Sequence, residues 1–353
     1  MNSDVAKVID AFSARLISDG IPFPDLALLK ARIADTDRWC EGWVNLSREY
    51  EERAQASLEG GASLTAALHL WRAALCCHFG QGILMDISME LKAETDARKR
   101  ALFQRAAGLF PVPLREVSID FDGVSLPGYL RLPPGQGPFA CVVLFGGLDT
   151  TKEDAYELTS YFAERGLATL TFDGPGQGAV FYEMPLRMDF EAAVSAAIDS
   201  LAQHAEIDLD RIGVLGRSTG GHWACKAAAL DPRIKVAISW GLIFDLRHFA
   251  DLPDSYQKRF MRAANIGKVE EAIAFFAGYD LDGIPEKLNC PYLIVQGGLD
   301  DLAPPDGVER VLQAARSPVE TMIFAQSGHC AHDRAHLAKP AMADFASRHL
   351  LSL

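Results

Sequence analysis

Few residues stand where a metal, a nucleic acid or a membrane would need them. The seven cysteines (Cys40, Cys76, Cys77, Cys141, Cys225, Cys290, Cys330) are odd in number, scattered except for one adjacent pair, and show no CxxC spacing. That argues against a disulfide framework and for reduced, mostly buried thiols. Cys76-Cys77-His78 does not make a ligand set, because neighbouring side chains on a helix diverge by about 100° and cannot all face one ion. No metal and no cofactor is expected. Basic residues are also short: 34 Lys and Arg against 47 Asp and Glu give a formal net charge of −13, and no basic stripe could neutralise phosphates. Nucleic acid and an anionic membrane surface are therefore not expected as partners. Asp4, Lys7, Asp10 and Arg15 interrupt any apolar leader, and His69 and Arg72 break the longest apolar run, so neither a signal peptide nor a membrane span is expected. The expected location is cytoplasmic. Internal repeats and low-complexity tracts are missing too.

What is present divides in two. From residue 1 to about 112 the apolar residues keep a helical period: Val5, Val8, Ile9, Phe12 and Leu16, then Leu64, Leu68, Trp71 and Leu75. Glu59-Gly60-Gly61 separates helices and Ser63 is a candidate cap. This predicts an all-helical N-terminal domain over 1–112. The period changes after Phe110-Pro111-Val112-Pro113. Val117, Ile119 and Phe121 alternate with polar residues, and Asp122-Gly123 is a turn before Leu126 to Leu132, which predicts an antiparallel hairpin. Short apolar runs then alternate with helical stretches: 141–145, 168–172, 212–215, 236–240, 292–295 and 321–324. That alternation predicts a mainly parallel sheet with helices on both faces, over 113–353. Residues 242–288 are too long for a plain crossover and read as a helical insertion overhanging the sheet edge where ligands bind.

Gly216-Arg217-Ser218-Thr219-Gly220 is a GxSxG pentapeptide, preceded by the strand run 212–215 and followed by an Ala-rich helix. A serine in that strand-to-helix turn stands exposed at the carboxyl edge of a sheet, with a helix N-terminus behind it. This predicts an α/β-hydrolase fold with Ser218 as nucleophile. The serine hydroxyl needs a base, and the base needs an orienting acid. In this fold the chain order is Ser, acid, His. Gln296-Gly297-Gly298-Leu299-Asp300-Asp301 follows one strand and Ala325-Gln326-Ser327-Gly328-His329 the next. Asp300 is preferred to Asp301 as the first turn position after its strand, and His329 to His332, which lies further from the strand end. An oxyanion hole needs two backbone N–H donors. Thr219 supplies one; the other comes from the loop Phe145-Gly146-Gly147-Leu148-Asp149, with Gly147 preferred and Leu148 the alternate. Thr150, Thr151, Glu153 and Asp154 fit a capping box for the next helix, and Asp173-Gly174-Pro175-Gly176-Gln177-Gly178 reads as a tight turn.

Trp39 and Trp43 in the helical domain, the hairpin Phe121 to Leu130, the loop Gly146-Gly147-Leu148-Asp149-Thr150-Thr151-Lys152-Glu153 and the elbow together resemble the 2,6-dihydroxypseudooxynicotine hydrolase family. Fungal polyketide-shortening hydrolases are similar. The resemblance implies hydrolysis of a carbon-carbon bond beside a ketone in an aromatic or polyketide-like small molecule. It also implies an active site between helical domain and core, and a homodimer. Ser218, Asp300 and His329 match the family's triad. The pattern further places an acid after the sixth strand; the nearest here is Asp245, followed by Leu246-Arg247-His248, a departure from it. Asp245 is accordingly expected at the substrate pocket, together with His248, which the insertion would bring over it, and Leu148 of the oxyanion loop. A carboxylesterase or thioesterase would use the same triad, whereas a non-catalytic ligand-binding protein would not need one.

Overall fold

The computed structural model describes residues 3–81 and 86–352. It falls into two compact units. One runs to Arg115 and takes in Glu153–Glu157; the other is Glu116–Lys152 with Leu158–Leu353. Among the described residues no helix is long and apolar enough to cross a membrane.

The smaller unit holds α1 (Ser3–Ser18), α2 (Phe23–Arg32), α3 (Trp39–Glu59), α4 (Ser63–Gly80) and α5 (Met89–Ala107). Val5, Ile9 and Leu16 of α1 are buried, one face of a 3.6-residue period. Ser88 caps α5, its side chain accepting from Leu91 N at 3.2 Å. Helix α4 is apolar nearly all round and is buried from Leu70 to Gly80 except for Arg72, as expected of a central helix. Its last residue is a glycine for a steric reason: a Cβ on Gly80 would lie 2.9 Å from Trp43 Cβ. At that crossing the indole of Trp39 donates to Phe79 O at 2.9 Å.

The same unit buries charge. Lys99 Nζ lies 2.8 Å from Asp96 and 3.1 Å from Glu153, and His78 Nε2 lies 3.1 Å from Asp154 Oδ2. Tyr156 stacks on Phe110 at 4.0 Å. These contacts hold Glu153–Glu157 within the helical unit and correct the capping-box reading. The next helix starts only at Tyr156, and Glu153 and Asp154 face buried cationic or imidazole groups, because a buried carboxylate needs such a partner more than a helix end needs a cap.

The larger unit is built on one eight-stranded sheet. Its strands are β1 (Arg115–Phe121), β2 (Val124–Arg131), β3 (Phe139–Phe145), β4 (Ala168–Phe172), β5 (Ile207–Arg217), β6 (Ile234–Trp240), β7 (Tyr292–Gly297) and β8 (Val319–Phe324), in spatial order β1-β2-β4-β3-β5-β6-β7-β8. Asp122 and Gly123 both have positive φ (47° and 81°), the conformation that a two-residue hairpin turn requires. β2 runs antiparallel to β4, and every pairing from β4 to β8 is parallel. The carboxyl ends of β3, β5, β7 and β8 therefore lie along one edge. The helices are α6 (Tyr156–Ala163), α7 (Phe190–Ser200), α8 (Thr219–Leu230), α9 (Asp254–Ala263), α10 (Val269–Phe276), α11 (Asp306–Ala314) and α12 (Ala335–Leu350). Two apolar clusters pack against the sheet. One is built on α7 and α8 and the other on α12.

The segment between β6 and β7 carries α9 and α10, as the helical insertion was expected to. Phe249, Phe260 and Phe276 form its small aromatic core. Two contacts bring it to the edge that carries the turn after β5. Tyr279 Oη donates to Thr219 O at 2.9 Å, and Arg259 pairs with Asp149 at 3.2 Å.

Candidate active site

The turn between β5 and α8 places Ser218 at φ 60°, ψ −121°, a region costing about 1–3 kcal/mol for a side-chain-bearing residue and held only where its surroundings over-determine it. Here Ser218 N donates to Trp240 O and Gly221 N to Ser218 O, both at 2.8 Å. The flanking glycines make the turn possible, since a Cβ on Gly216 would stand 1.9 Å from Gly220 O.

Ser218 Oγ lies 2.7 Å from His329 Nε2, and His329 Nδ1 lies 2.8 Å and 3.0 Å from the two oxygens of Asp300. A proton on Nδ1 donated to Asp300 leaves the Nε2 lone pair facing the serine hydroxyl, the tautomer a general base needs. The Asp300 side chain is fully buried, whereas that of His329 remains 24% exposed. Asp300 also accepts from Leu302 N at 3.1 Å, Ala303 N at 2.8 Å and Gln296 Nε2 at 3.3 Å, which satisfies its buried oxygens. Burial opposes the His329 imidazolium, but the adjacent Cys330 thiol and the Asp300 carboxylate outweigh it, and the pKa is raised well above the ordinary histidine value.

Asp301 is exposed and sits beyond this arrangement. His332 packs its ring against Trp240 at 5.4 Å. His222, one turn into α8, stacks on Tyr279 at 3.8 Å, and burial pushes it down to about 3, so it stays neutral within the core.

Glycine is again required where the loop after β3 passes the elbow: a Cβ on Gly147 would lie 2.8 Å from Ser218 Cβ and 3.2 Å from its Oγ. The Gly147 N–H, expected in the oxyanion hole, instead donates to Thr150 Oγ1 at 3.3 Å, and that hydroxyl also accepts from Arg217 at 3.1 Å. Leu148 is the next N–H along the loop. Thr219 opens α8, so its N–H belongs to the first turn, which has no partner within the helix.

Asp245 and His248 are not brought to Ser218. Asp245 is engaged by Arg310 at 2.6 Å within a cluster that includes Arg247, Asp280 and Asp282. His248 is 85% exposed. Both line a cavity of about 190 Å³ with Phe244, Asp301 and Leu302 whose walls include neither Ser218 nor His329. Asp245, the acid nearest to where the family pattern places one, is thus held in an ion-pair network with the arginines nearby.

Sequence reasoning passed over Gln177 and Trp240. Gln177 lies in the turn after β4, and its side-chain amide donates to Gly146 O at 2.6 Å and Gly147 O at 3.1 Å. Trp240 ends β6; its carbonyl takes the Ser218 N–H and its indole donates to Cys330 O, which joins the elbow to the histidine loop. Only a glutamine between glycines, and a tryptophan closing an apolar strand, hinted at either.

The FrsA-like esterase family model matches residues 33–268. A 2,6-dihydropseudooxynicotine hydrolase of Paenarthrobacter nicotinovorans is 34% identical over 94% of this chain and 89% of its own length. An α/β-hydrolase of Penicillium citrinum, gkaG, is 32% identical over 66% of this chain and 58% of its own. The crystal structure of a 2,6-dihydroxy-pseudo-oxynicotine hydrolase superposes with a TM-score of 0.90 at 32% identity, covering 96% of each chain. The chain is therefore an enzyme of the α/β-hydrolase fold and belongs to the FrsA-like esterase family.

Proposed function

We propose that the protein is a serine hydrolase cleaving a carbon-carbon bond beside a ketone in an aromatic or polyketide-like substrate. The observation that carries the catalytic part is the continuous chain Ser218 Oγ, His329 Nε2, His329 Nδ1, Asp300, with links of 2.7 Å and 2.8 Å. The bond type is supported by the likeness to a pseudooxynicotine hydrolase over nearly all of both chains.

In this reading His329 Nε2 takes the Ser218 proton as Oγ attacks the ketone carbon. Asp300 stabilises the imidazolium so formed. The carbonyl oxygen becomes an oxyanion facing the N–H groups of Thr219 and Leu148, where the dipole of α8 adds its positive end. Collapse breaks the bond to the neighbouring carbon, and the departing carbanion, an enolate or electron-rich ring, takes the proton back from His329. Water, deprotonated by the same Nε2, then hydrolyses the acyl-serine and regenerates the enzyme. Proton and electrons balance: one water is consumed, and one carboxylic acid and one C–H are formed.

A carboxylesterase is the second reading, favoured by the esterase description of the family. Its steps are the same, with an alkoxide leaving group. Steady-state kinetics on a panel of aryl β-diketones and short-chain aryl esters decides between them. The carbon-carbon reading expects the best diketone to match or exceed the best ester in kcat/KM. An ester lead of a hundredfold, about 2.7 kcal/mol of transition-state binding, assigns the protein to the esterases.

A further inference from the structure

We infer that Gln177 is the positioning residue of the oxyanion loop, an assignment that rests on the proposed reading of Ser218 as nucleophile. The loop after β3 has a physical problem. Gly146 and Gly147 give it the room to pass Ser218, as the missing Cβ at Gly147 requires. Two adjacent glycines also make its peptide planes soft, since each residue adopts a wide range of φ and ψ at little cost. A rotated plane would aim a carbonyl oxygen, not an N–H, at the serine.

The Gln177 amide removes that freedom. Its Nε2 donates to Gly146 O at 2.6 Å and to Gly147 O at 3.1 Å, and its Oε1 accepts from Gly174 N at 3.1 Å. A trans peptide holds its C=O and N–H in one plane, pointing in opposite directions. Holding the Gly147 oxygen therefore fixes the Leu148 N–H to point the other way. Amide orientation is settled by the partners: turned over, the side chain would set its oxygen against two carbonyl oxygens.

Gln177 is itself rigidly held. Its side chain is buried, its N–H donates to Gly174 O at 3.0 Å, and its carbonyl accepts from Phe181 N at 2.9 Å. The turn is anchored by the buried Asp173, which accepts from Ala179 N at 3.1 Å and from Lys152, both backbone N at 2.9 Å and Nζ at 2.7 Å. Asparagine is one methylene shorter, and glutamate has no donor to offer when ionised.

The test compares wild type with Gln177→Glu, which keeps the acceptor for Gly174 and loses the donor, and Gln177→Met, which keeps the length without adding charge. For each, kcat, KM, thermal unfolding and the Ki of an aryl trifluoromethyl ketone are measured, the ketone because it forms a tetrahedral oxyanion on a serine. The expected result is a kcat lower by about 10²-fold, the scale of losing one oxyanion donor. KM should stay within threefold and the Ki should rise in step with the loss in kcat. A folded variant of either kind with kcat and Ki within threefold of wild type overturns the assignment, as does a raised KM with an unchanged Ki, the mark of a merely structural role. Ser218→Ala, assayed alongside, separates the two levels: if it keeps wild-type turnover, the nucleophile reading itself falls and Gln177 with it. If it is inactive while the Gln177 variants are fully active, only the positioning role is lost.

Discussion

Among the described residues, two of the histidine-aspartate contacts are of similar length and opposite character. His78 and Asp154, 3.1 Å apart in the helical unit, have side chains at most 1% exposed, and their neighbourhood is the buried Lys99, Asp96 and Glu153. His329 and Asp300, 2.8 Å apart in the sheet unit, leave the imidazole edge open, and its far nitrogen faces a serine. A His-Asp contact is thus no evidence of chemistry. What distinguishes the second pair is an imidazole edge left open, with the Ser218 hydroxyl at hydrogen-bond distance from its far nitrogen. The first pair is buried on both sides, within the helical unit.

The sharpest way to break the contrast is to remove the nucleophile. Ser218→Ala should lower kcat by about 10⁴-fold or more, His329→Ala should do the same, and the double variant little more, because residues acting as one unit are not additive. Labelling with a fluorophosphonate and peptide mapping would place the adduct on Ser218; an adduct elsewhere would contradict this. Replacing each aspartate separates the pairs. Asp300→Asn should cost about 10³ to 10⁴ in kcat with little change in the urea midpoint, whereas Asp154→Asn should leave kcat within threefold and lower the midpoint.

The buried lysine extends the comparison to stability. Lys99→Met removes the buried lysine between Asp96 and Glu153, leaving Asp96 its contact with Arg100 at 3.1 Å, and should destabilise by about 3–5 kcal/mol in urea titration, the usual cost of breaking a buried pair. Burial pushes the Asp96 carboxyl up, but Lys99 overrides it and holds the pKa below the ordinary value. A depressed carboxylate stabilises above its unfolded pKa, about 3.9, and the contribution drains away as pH falls through the depressed value. Acid unfolding of Lys99→Met should accordingly set in at higher pH than in wild type.

In the proposed mechanism activity responds to pH through the other pair. That mechanism requires the base form of His329, whose pKa is raised, so kcat/KM should climb with pH through an inflection above about 6.5. Asp300→Asn removes one of the raising causes and should move the residual inflection downward; His78→Gln should leave it in place. The smallest effect is expected at the exposed neighbour: Asp301→Asn should change kcat/KM by less than about twofold, as surface substitutions usually do.

Much of this was legible in the residues. The strand runs, the hairpin turn at Asp122-Gly123, the elbow around Ser218 and the order serine, acid, histidine follow from local rules: side-chain period, glycine where φ or close approach demands it, and loops at the carboxyl ends of parallel strands. Those rules act over a few residues, so one sequence is enough to read them. Tertiary structure alone decided why Glu153 and Asp154 leave a helix start for Lys99 and His78, why Asp245 is consumed by Arg310, and that the Gly147 N–H is taken by Thr150 while Gln177 holds its carbonyl. Each of those outcomes is a competition among polar groups for partners. Most of the partners lie far apart along the chain, and burial raises the cost of leaving any of them unmatched. Neighbouring residues cannot announce the winner; only the folded arrangement of distant segments selects it.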